Sequence, residues 1–237
     1  TVRELDPAGW YSTADSSGAN DNLIPVTLAI GQSSSGSVFY DTQRTALGGL
    51  VWLDANGNGQ QDGGEAAMSS VVVRLYGTNG IVMAVATSAV SGAYAFTNQS
   101  AGTYTVGFAA PAGYLFTTSN VGSDATDSDP LAGTNRTAAV TLASGQTDGT
   151  VAAGFIPAAS LAGFVRVDLN GNGAAEAGDT NGVGGVTVQL LDASSNTVAT
   201  AVTAADGSYG FANLRPGSYT VRELDPAGWY STADSSG

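Results

Sequence analysis

The first eighteen residues, "TVRELDPAGWYSTADSSG" (Thr1–Gly18), are also the last eighteen, Thr220–Gly237. Chance does not copy a stretch of that length within a chain of 237 residues. The sequence therefore repeats with a period of 219, the step from Thr1 to Thr220, and its fold must be one that can be strung in series. A shorter period lies inside the long one. "GGLVWLDANGNGQQDGGE" (Gly48–Glu65) returns 114 residues later as "AGFVRVDLNGNGAAEAGD" (Ala162–Asp179). "SAGTYTVGFAAPAGY" (Ser100–Tyr114) returns 115 residues later as "RPGSYTVRELDPAGW" (Arg215–Trp229). Each long period thus holds two related modules of about 110 residues, large enough for a core each.

The short period sets the domain boundaries. Residues 46–158 form a complete module, and residues 159–237 are the N-terminal part of a second. Residues 1–45 are the C-terminal half of a module, because "LIPVTLAI" (Leu23–Ile30) and "GSVFYD" (Gly36–Asp41) correspond to "RTAAVTLA" and "GTVAAGF". Strands equivalent to 1–45 of the next repeat, or of a neighbouring subunit, would complete the module that begins at 159. A continuous covalent head-to-tail array is the expected arrangement, since separate subunits would bring two copies of the "TVRELD" strand to one slot.

Apolar residues alternate with period two between Gly, Asn, Asp and Ser, and no stretch shows helical spacing. In the complete module the pattern predicts strands at Gly49–Leu53, Val71–Tyr76, Val82–Thr87, Ala93–Thr97, Gly102–Ala109, Thr137–Leu142 and Thr150–Phe155. Seven such strands make an all-β sandwich. Tyr94 and Phe96, repeated as Tyr209 and Phe211, share one strand face and belong in its core.

Composition narrows the chemistry. Twenty acidic residues stand against seven arginines, with no lysine, histidine or cysteine. The negative balance repels nucleic acid and anionic membrane and favours divalent cations or polycations. Most nucleophiles, neutral-pH proton shuttles and transition-metal ligands are missing, as are disulfides, so the chain is read as no enzyme. Paired carboxylates could in principle hydrolyse glycosides, but here they fall in metal-loop spacing rather than around a cleft. No apolar run is long enough to span a membrane, and no signal peptide lies in this window.

"DANGNGQQDGGE" (Asp54–Glu65) fits the calcium-loop pattern D-x-[DN]-x-[DN]-G-x5-E at every constrained position. Asp54, Asn56, Asn58, Asp62 and Glu65 occupy positions 1, 3, 5, 9 and 12, and Gln60 offers its backbone carbonyl from position 7. "DLNGNGAAEAGD" repeats the design with Asp168, Asn170, Asn172, Ala174, Glu176 and Asp179, the closing glutamate being replaced by a shorter aspartate that reaches less far. Such hard oxygen donors select Ca2+. An Asn-Gly pair is also an ordinary hairpin turn; two full matches at equivalent places argue for the metal. Both loops lie between strand-like runs, so the ion would pin one end of a sandwich rather than open a helix pair.

These features together, "VWLDANGNGQQDGGE…VVVRLY…YAF…AGTYTV…PAGY…TDSDP", resemble the calcium-binding B repeats of serine-aspartate repeat surface adhesins, and the resemblance covers nearly the whole chain. It implies tandem seven-stranded Ig-like sandwiches of the transthyretin or Cna-B type, forming calcium-stiffened stalks on the bacterial surface or in a secreted matrix. The isopeptide bond of related domains is impossible without lysine. The "DGxYxF" signature stands at Asp206, Gly207, Tyr209 and Phe211, but Ser91 replaces its aspartate in the first module. "SDATDSDP", with Asp124, Asp127 and Asp129, matches a loop that helps bind further calcium in the family; it reads equally as a solvated acidic turn and stays outside the site. Its counterpart offers only Asp15, Asn20 and Asp21. Two N-glycosylation patterns, at Asn98 and Asn135, are incidental in a bacterial protein.

A structural stalk is therefore the expected function. The alternative is an adhesin module that binds a host protein, a glycan or another surface, with Trp10, Tyr11, Trp229 and Tyr230 as contact candidates. Tyr114 stands at the equivalent place in the first module, which favours packing instead.

Overall fold

The computed structural model describes residues 1–174 and 176–234. Ala175 and residues 235–237, the end of the second copy of the repeated stretch and of the 159–237 module, lie outside them. All regular elements among the described residues are strands, and no helix is long and apolar enough to cross a membrane. The chain divides into two compact units: Thr1–Ala112 with Phe116–Ile156, and Gly113–Leu115 with the chain from Pro157 onward.

The first unit opens with four strands, β1 (Val2–Arg3), β2 (Trp10–Asp15), β3 (Leu23–Ile24) and β4 (Phe39–Gln43). β1 pairs antiparallel with β3, and β2 with β4, Trp10 facing Gln43. The strand expected over Leu23–Ile30 is confined to Leu23–Ile24, and the one expected over Gly36–Asp41 starts at Phe39 and runs to Gln43. Val140–Leu142, the counterpart of Val26–Leu28, is a strand because it pairs with Tyr104–Gly102; among the described residues Val26–Leu28 pairs with no strand. Leu28 and Ile30 consequently stay exposed.

Nine strands build the complete module: β5 (Thr45–Leu53), β6 (Val72–Gly77), β7 (Val82–Thr87), β8 (Ala93–Gln99), β9 (Gly102–Phe108), β10 (Tyr114–Phe116), β11 (Val140–Leu142), β12 (Thr147–Asp148) and β13 (Ala153–Pro157). The seven expected strands are all present, Val82–Thr87 with the expected ends and the other six with shifted ends. β10 and β12, of three and two residues, are not among them, since neither lies in a longer alternating run. β5 pairs antiparallel with β8 and parallel with β12 and β13. The facing sheet runs β11-β9-β6-β7.

Inward alternation fills the space between the sheets. Val51, Trp52, Val73, Leu75, Tyr94, Phe96, Val106 and Phe108 are all buried. The Tyr94 ring meets Phe108 of the opposite sheet edge to face at 5.5 Å, and its hydroxyl donates to Val151 O at 2.7 Å. Gly49 marks where chain segments cross: a Cβ there would lie 1.8 Å from Val151 O. Only glycine permits that approach.

The second unit repeats the first half of the module with β14 (Ala159–Phe164), β15 (Thr187–Leu191), β16 (Thr197–Val202), β17 (Ser208–Leu214) and β18 (Thr220–Leu224). β14 pairs with β17, and β15 lies between β16 and β18. Its core gathers Val188, Leu190 and Phe211, with Leu161, Tyr209 and Val221 against them. One detail recurs in both units. The Ser88 hydroxyl accepts from Val71 N–H at 3.0 Å and donates to Met68 O at 2.8 Å. Thr203 does the same for Val186 and Val183, at 2.9 and 2.7 Å. The hydroxyl thus ties down the chain as it re-enters the sheet after each acidic loop.

Candidate metal centres

Each loop leaves the C-terminal end of its module's first strand and folds around the aspartate at position 1. Asp54 is only 1% exposed, and its N–H donates to Phe155 O at 2.8 Å. Its Oδ1 accepts from Gly57 N–H at 2.7 Å and its Oδ2 from Gly59 N–H at 2.8 Å. The Thr117 hydroxyl also donates to Oδ2. Converging donors of this kind satisfy the oxygens of a buried carboxylate and fix the loop around it. Gly59 has φ +83°, and a Cβ there would come within 2.5 Å of Thr118 O, so the sharp turn requires glycine.

The second loop has the same plan. Asp168 accepts from Gly171 N–H at 2.7 Å and Gly173 N–H at 2.9 Å. These bonds, the Gly173 one foremost, and one from Thr232 hold its carboxyl below the usual aspartate range. The loop pattern does not point to Thr117 or Thr232, but a sequence signal exists: each stands six residues after the proline of a Pro-Ala-Gly turn.

Positions 3, 5 and 9 also come together. Asn56 and Asn58 both donate their Nδ2 to Asp62 Oδ2 at 2.8 Å. Asn170 and Asn172 donate to Glu176 at 2.9 and 2.8 Å. The closing residue at position 12 laces the ends of the loop. Glu65 accepts from Ala55 N–H at 2.8 Å and Asp62 N–H at 3.0 Å. Asp179 accepts from Leu169 N–H at 3.2 Å and Glu176 N–H at 3.1 Å. The shorter aspartate therefore reaches the same two partners, at slightly greater distance. At position 7, Gln60 and Ala174 contribute backbone N–H groups to the Asn58 and Asn172 side chains. Among the described residues, neither loop draws its three carboxylates within 4.8 Å of one another.

Asp124, Asp127 and Asp129 do approach that closely. Their loop lies against the first acidic loop through a 2.7 Å bond from Gln61 N–H to Thr126 O and a bridge between Gln60 and Asp127. Asp127 is 4% exposed, and its Oδ1 has no hydrogen-bond partner. Burial first, then Asp124, pushes its carboxyl up. Asp129 accepts from Ala152 N–H at 2.6 Å, yet burial, aided by Asp127, Asp124 and Asp148, pushes it up to about 7. A buried, unpartnered carboxylate oxygen beside two others is the electrostatic environment a hard cation relieves. Spacing along the chain does not assign the trio, because the approach of the two loops is a tertiary contact. Glu4, Asp6 and Asp41 form a second close group, more open to solvent.

The proposed contact aromatics divide. Trp10, Trp229 and Tyr230 are exposed, whereas Tyr114 is half-buried in β10 and Tyr11 lies under the Arg44 guanidinium at 3.7 Å.

Fold and loops define a class: all-β sandwich modules in tandem, each with an acidic loop at the end of its first strand. The chain belongs to the SdrD B-like domain family, whose model matches residues 45–155 and 159–237. Serine-aspartate repeat-containing protein D of Staphylococcus aureus (strain Newman) is 34% identical over 244 residues, covering 100% of this chain and 18% of that protein. Serine-aspartate repeat-containing protein F of Staphylococcus epidermidis (strain ATCC 12228 / FDA PCI 1200) is 36% identical over 230 residues, covering 94% and 14%. The chain thus corresponds to a small part of either relative. Among solved structures, a streptococcal ancillary pilin aligns with 79% of this chain and 56% of its own at 14% identity and a TM-score of 0.38.

Proposed function

We propose that this chain is a stretch of an extracellular repeat array, displayed on a bacterial surface, whose modules are stiffened by Ca2+ and serve as a structural stalk rather than as an enzyme. The observation that carries the reading is the shared hydrogen-bond plan of the two loops, in which the same positions engage the same partners despite different sequences. Asp54, Asn56, Asn58, the Gln60 carbonyl, Asp62 and Glu65 would hold one ion. Asp168, Asn170, Asn172, the Ala174 carbonyl, Glu176 and Asp179 would hold another, and the Asp124, Asp127 and Asp129 group a further cation. All donors are hard oxygens, as Ca2+ requires. The ion would supply positive charge where carboxylates now repel, and would tie each long loop to its sandwich. The residues themselves preset the loop: Asp54 and Asp168 gather the backbone, while Glu65 and Asp179 close it.

Residues 46–158 serve as one module of the array. The parts at 1–45 and 159–237 pair with the complementary parts of neighbouring repeats, which are the partners expected. Thermal unfolding with and without chelator tests the calcium reading. A ligand that binds only the folded state at about 100 times its Kd adds roughly 2.7 kcal/mol per site, so chelation lowers the midpoint clearly. An unchanged midpoint would reduce both loops to turns.

A further inference from the structure

The chain carries six Asn-Gly pairs: Asn56-Gly57, Asn58-Gly59, Asn79-Gly80, Asn170-Gly171, Asn172-Gly173 and Asn181-Gly182. This dipeptide has an intrinsic reaction. The glycine nitrogen attacks the asparagine Cγ, the Cγ–Nδ2 bond breaks, and the nitrogen's proton leaves with the amide as ammonia. Water then opens the cyclic imide at either carbonyl, giving aspartate or isoaspartate. No oxidant, reductant or enzyme is needed. Glycine permits the attack because it has no side chain to hinder it and the widest backbone freedom.

All six asparagines are exposed, so exposure does not separate them. Hydrogen bonding does. In the two acidic loops, each attacking nitrogen is already a donor: Gly57 and Gly59 to Asp54, Gly171 and Gly173 to Asp168. The carboxamides are held as well, each Nδ2 on Asp62 or Glu176 and each Oδ1 on the N–H two residues ahead. At Asn79 the Gly80 N–H donates to Gly77 O at 2.9 Å and Asn79 Oδ1 accepts from Ile81 N–H at 3.0 Å.

Asn181 differs. Among the described residues, neither its side chain nor the Gly182 N–H makes a hydrogen bond. The bonds on either side, Val167 N–H to Asn181 O and Val183 N–H to Val165 O, both at 2.9 Å, leave the Gly182 N–H turned away from β14. We propose that Asn181 is a site of water-driven conversion to aspartate and isoaspartate, while Asp54 and Asp168 shield the four Asn-Gly pairs inside the loops. Its position gives the conversion a consequence. Asn181 stands two residues after Asp179, the closing residue of the second loop, and its carbonyl pairs with the residue just before Asp168. Isoaspartate lengthens the main chain by one carbon and pulls that pairing apart, loosening the second loop. The first module has Ala66-Ala67 at the equivalent place, where Leu53 N–H donates to Ala66 O at 2.8 Å, and carries no such site. The two loops therefore age differently.

Conversion needs no bound cation, so the whole chain is tested in chelator. Folded protein is incubated warm in mildly alkaline buffer, and peptide mapping by mass spectrometry, with isoaspartate resolved, follows each asparagine. Asn181 converts first, and the four loop asparagines lag by about tenfold, the factor that one retained hydrogen bond carries. In denaturant the six converge. Asp168→Asn, verified as folded by circular dichroism, speeds Asn170 or Asn172 and leaves Asn56 and Asn58 unchanged. Should that variant not fold, the native-to-denatured comparison on the unaltered chain still decides. Loop asparagines that convert as fast as Asn181 in the folded chain overturn the proposal, as does a folded Asp168→Asn that converts like the parent.

Discussion

Asp54 and Asp168 hold identical places in two loops but not identical environments, and the difference sets what each is worth. Asp54 is sealed beneath its loop, so its removal leaves the buried Gly59 N–H, and the Gly57 N–H beside it, without an acceptor. Asp54→Ala is expected to destabilise the chelated protein by about 3 kcal/mol, read from urea unfolding, since each bond to a charged group carries about 1.5–3 kcal/mol. Asp168→Ala has the smaller effect, because water reaches its loop. Asp129 makes a different prediction. Its folded pKa, about 7, lies above the ordinary value of 3.8, so between those limits the folded state holds the extra proton. Stability from this group is greatest at the acid end of that window and is lost as pH rises through 7. The chelated protein should therefore melt higher at pH 5 than at pH 8, and added Ca2+ should reverse the order by competing with that proton. A chelated midpoint that rises across this window would contradict the burial of Asp129.

Between residue and sheet, the device that organises each module is a loop pinned at both ends. One end is the carboxylate at position 1; the other is the hydroxyl of Ser88 or Thr203, which binds the chain on its return. Removing the hydroxyl strands a buried N–H. Ser88→Ala is expected to lose about 1–3 kcal/mol and Ser88→Thr to be tolerated, as judged by denaturant midpoints. Much at this scale was legible beforehand. The period-two pattern located all seven long strands, because each buries one face and alternation is the direct imprint of that. β10 and β12 escaped because neither lies in a longer alternating run, as the three residues of β11 do within Thr137–Leu142. Val26–Leu28 shows the opposite: it has the pattern of a strand but pairs with none among the described residues, and a strand needs a partner as well as a pattern.

Taken whole, the molecule is strongly acidic, with a formal net charge of −13. Without divalent cations its carboxylates repel one another, and simple salt should relieve part of that repulsion. Raising NaCl from about 0.01 to 0.1 M, which shortens the screening length from about 30 to 10 Å, should raise the chelated melting temperature. The same addition should change it far less with Ca2+ present. Equal salt responses with and without Ca2+ would mean that the acidic groups do not share an ion.

The repeat, the sandwich class and the two loops were all written in the sequence, because each rests on local order: a recurring stretch, an alternation, a ligand spacing. Contacts between segments far apart in the chain could not be read that way. Thr117 reaches Asp54 across 63 positions, and Gln61 meets Thr126 across a loop junction. Asp127 keeps an unpartnered oxygen only because the sandwich buries it there. Spacing along a chain specifies which groups a turn can gather; burial and charge depend on what the rest of the fold lays over them, and only the tertiary structure decides that.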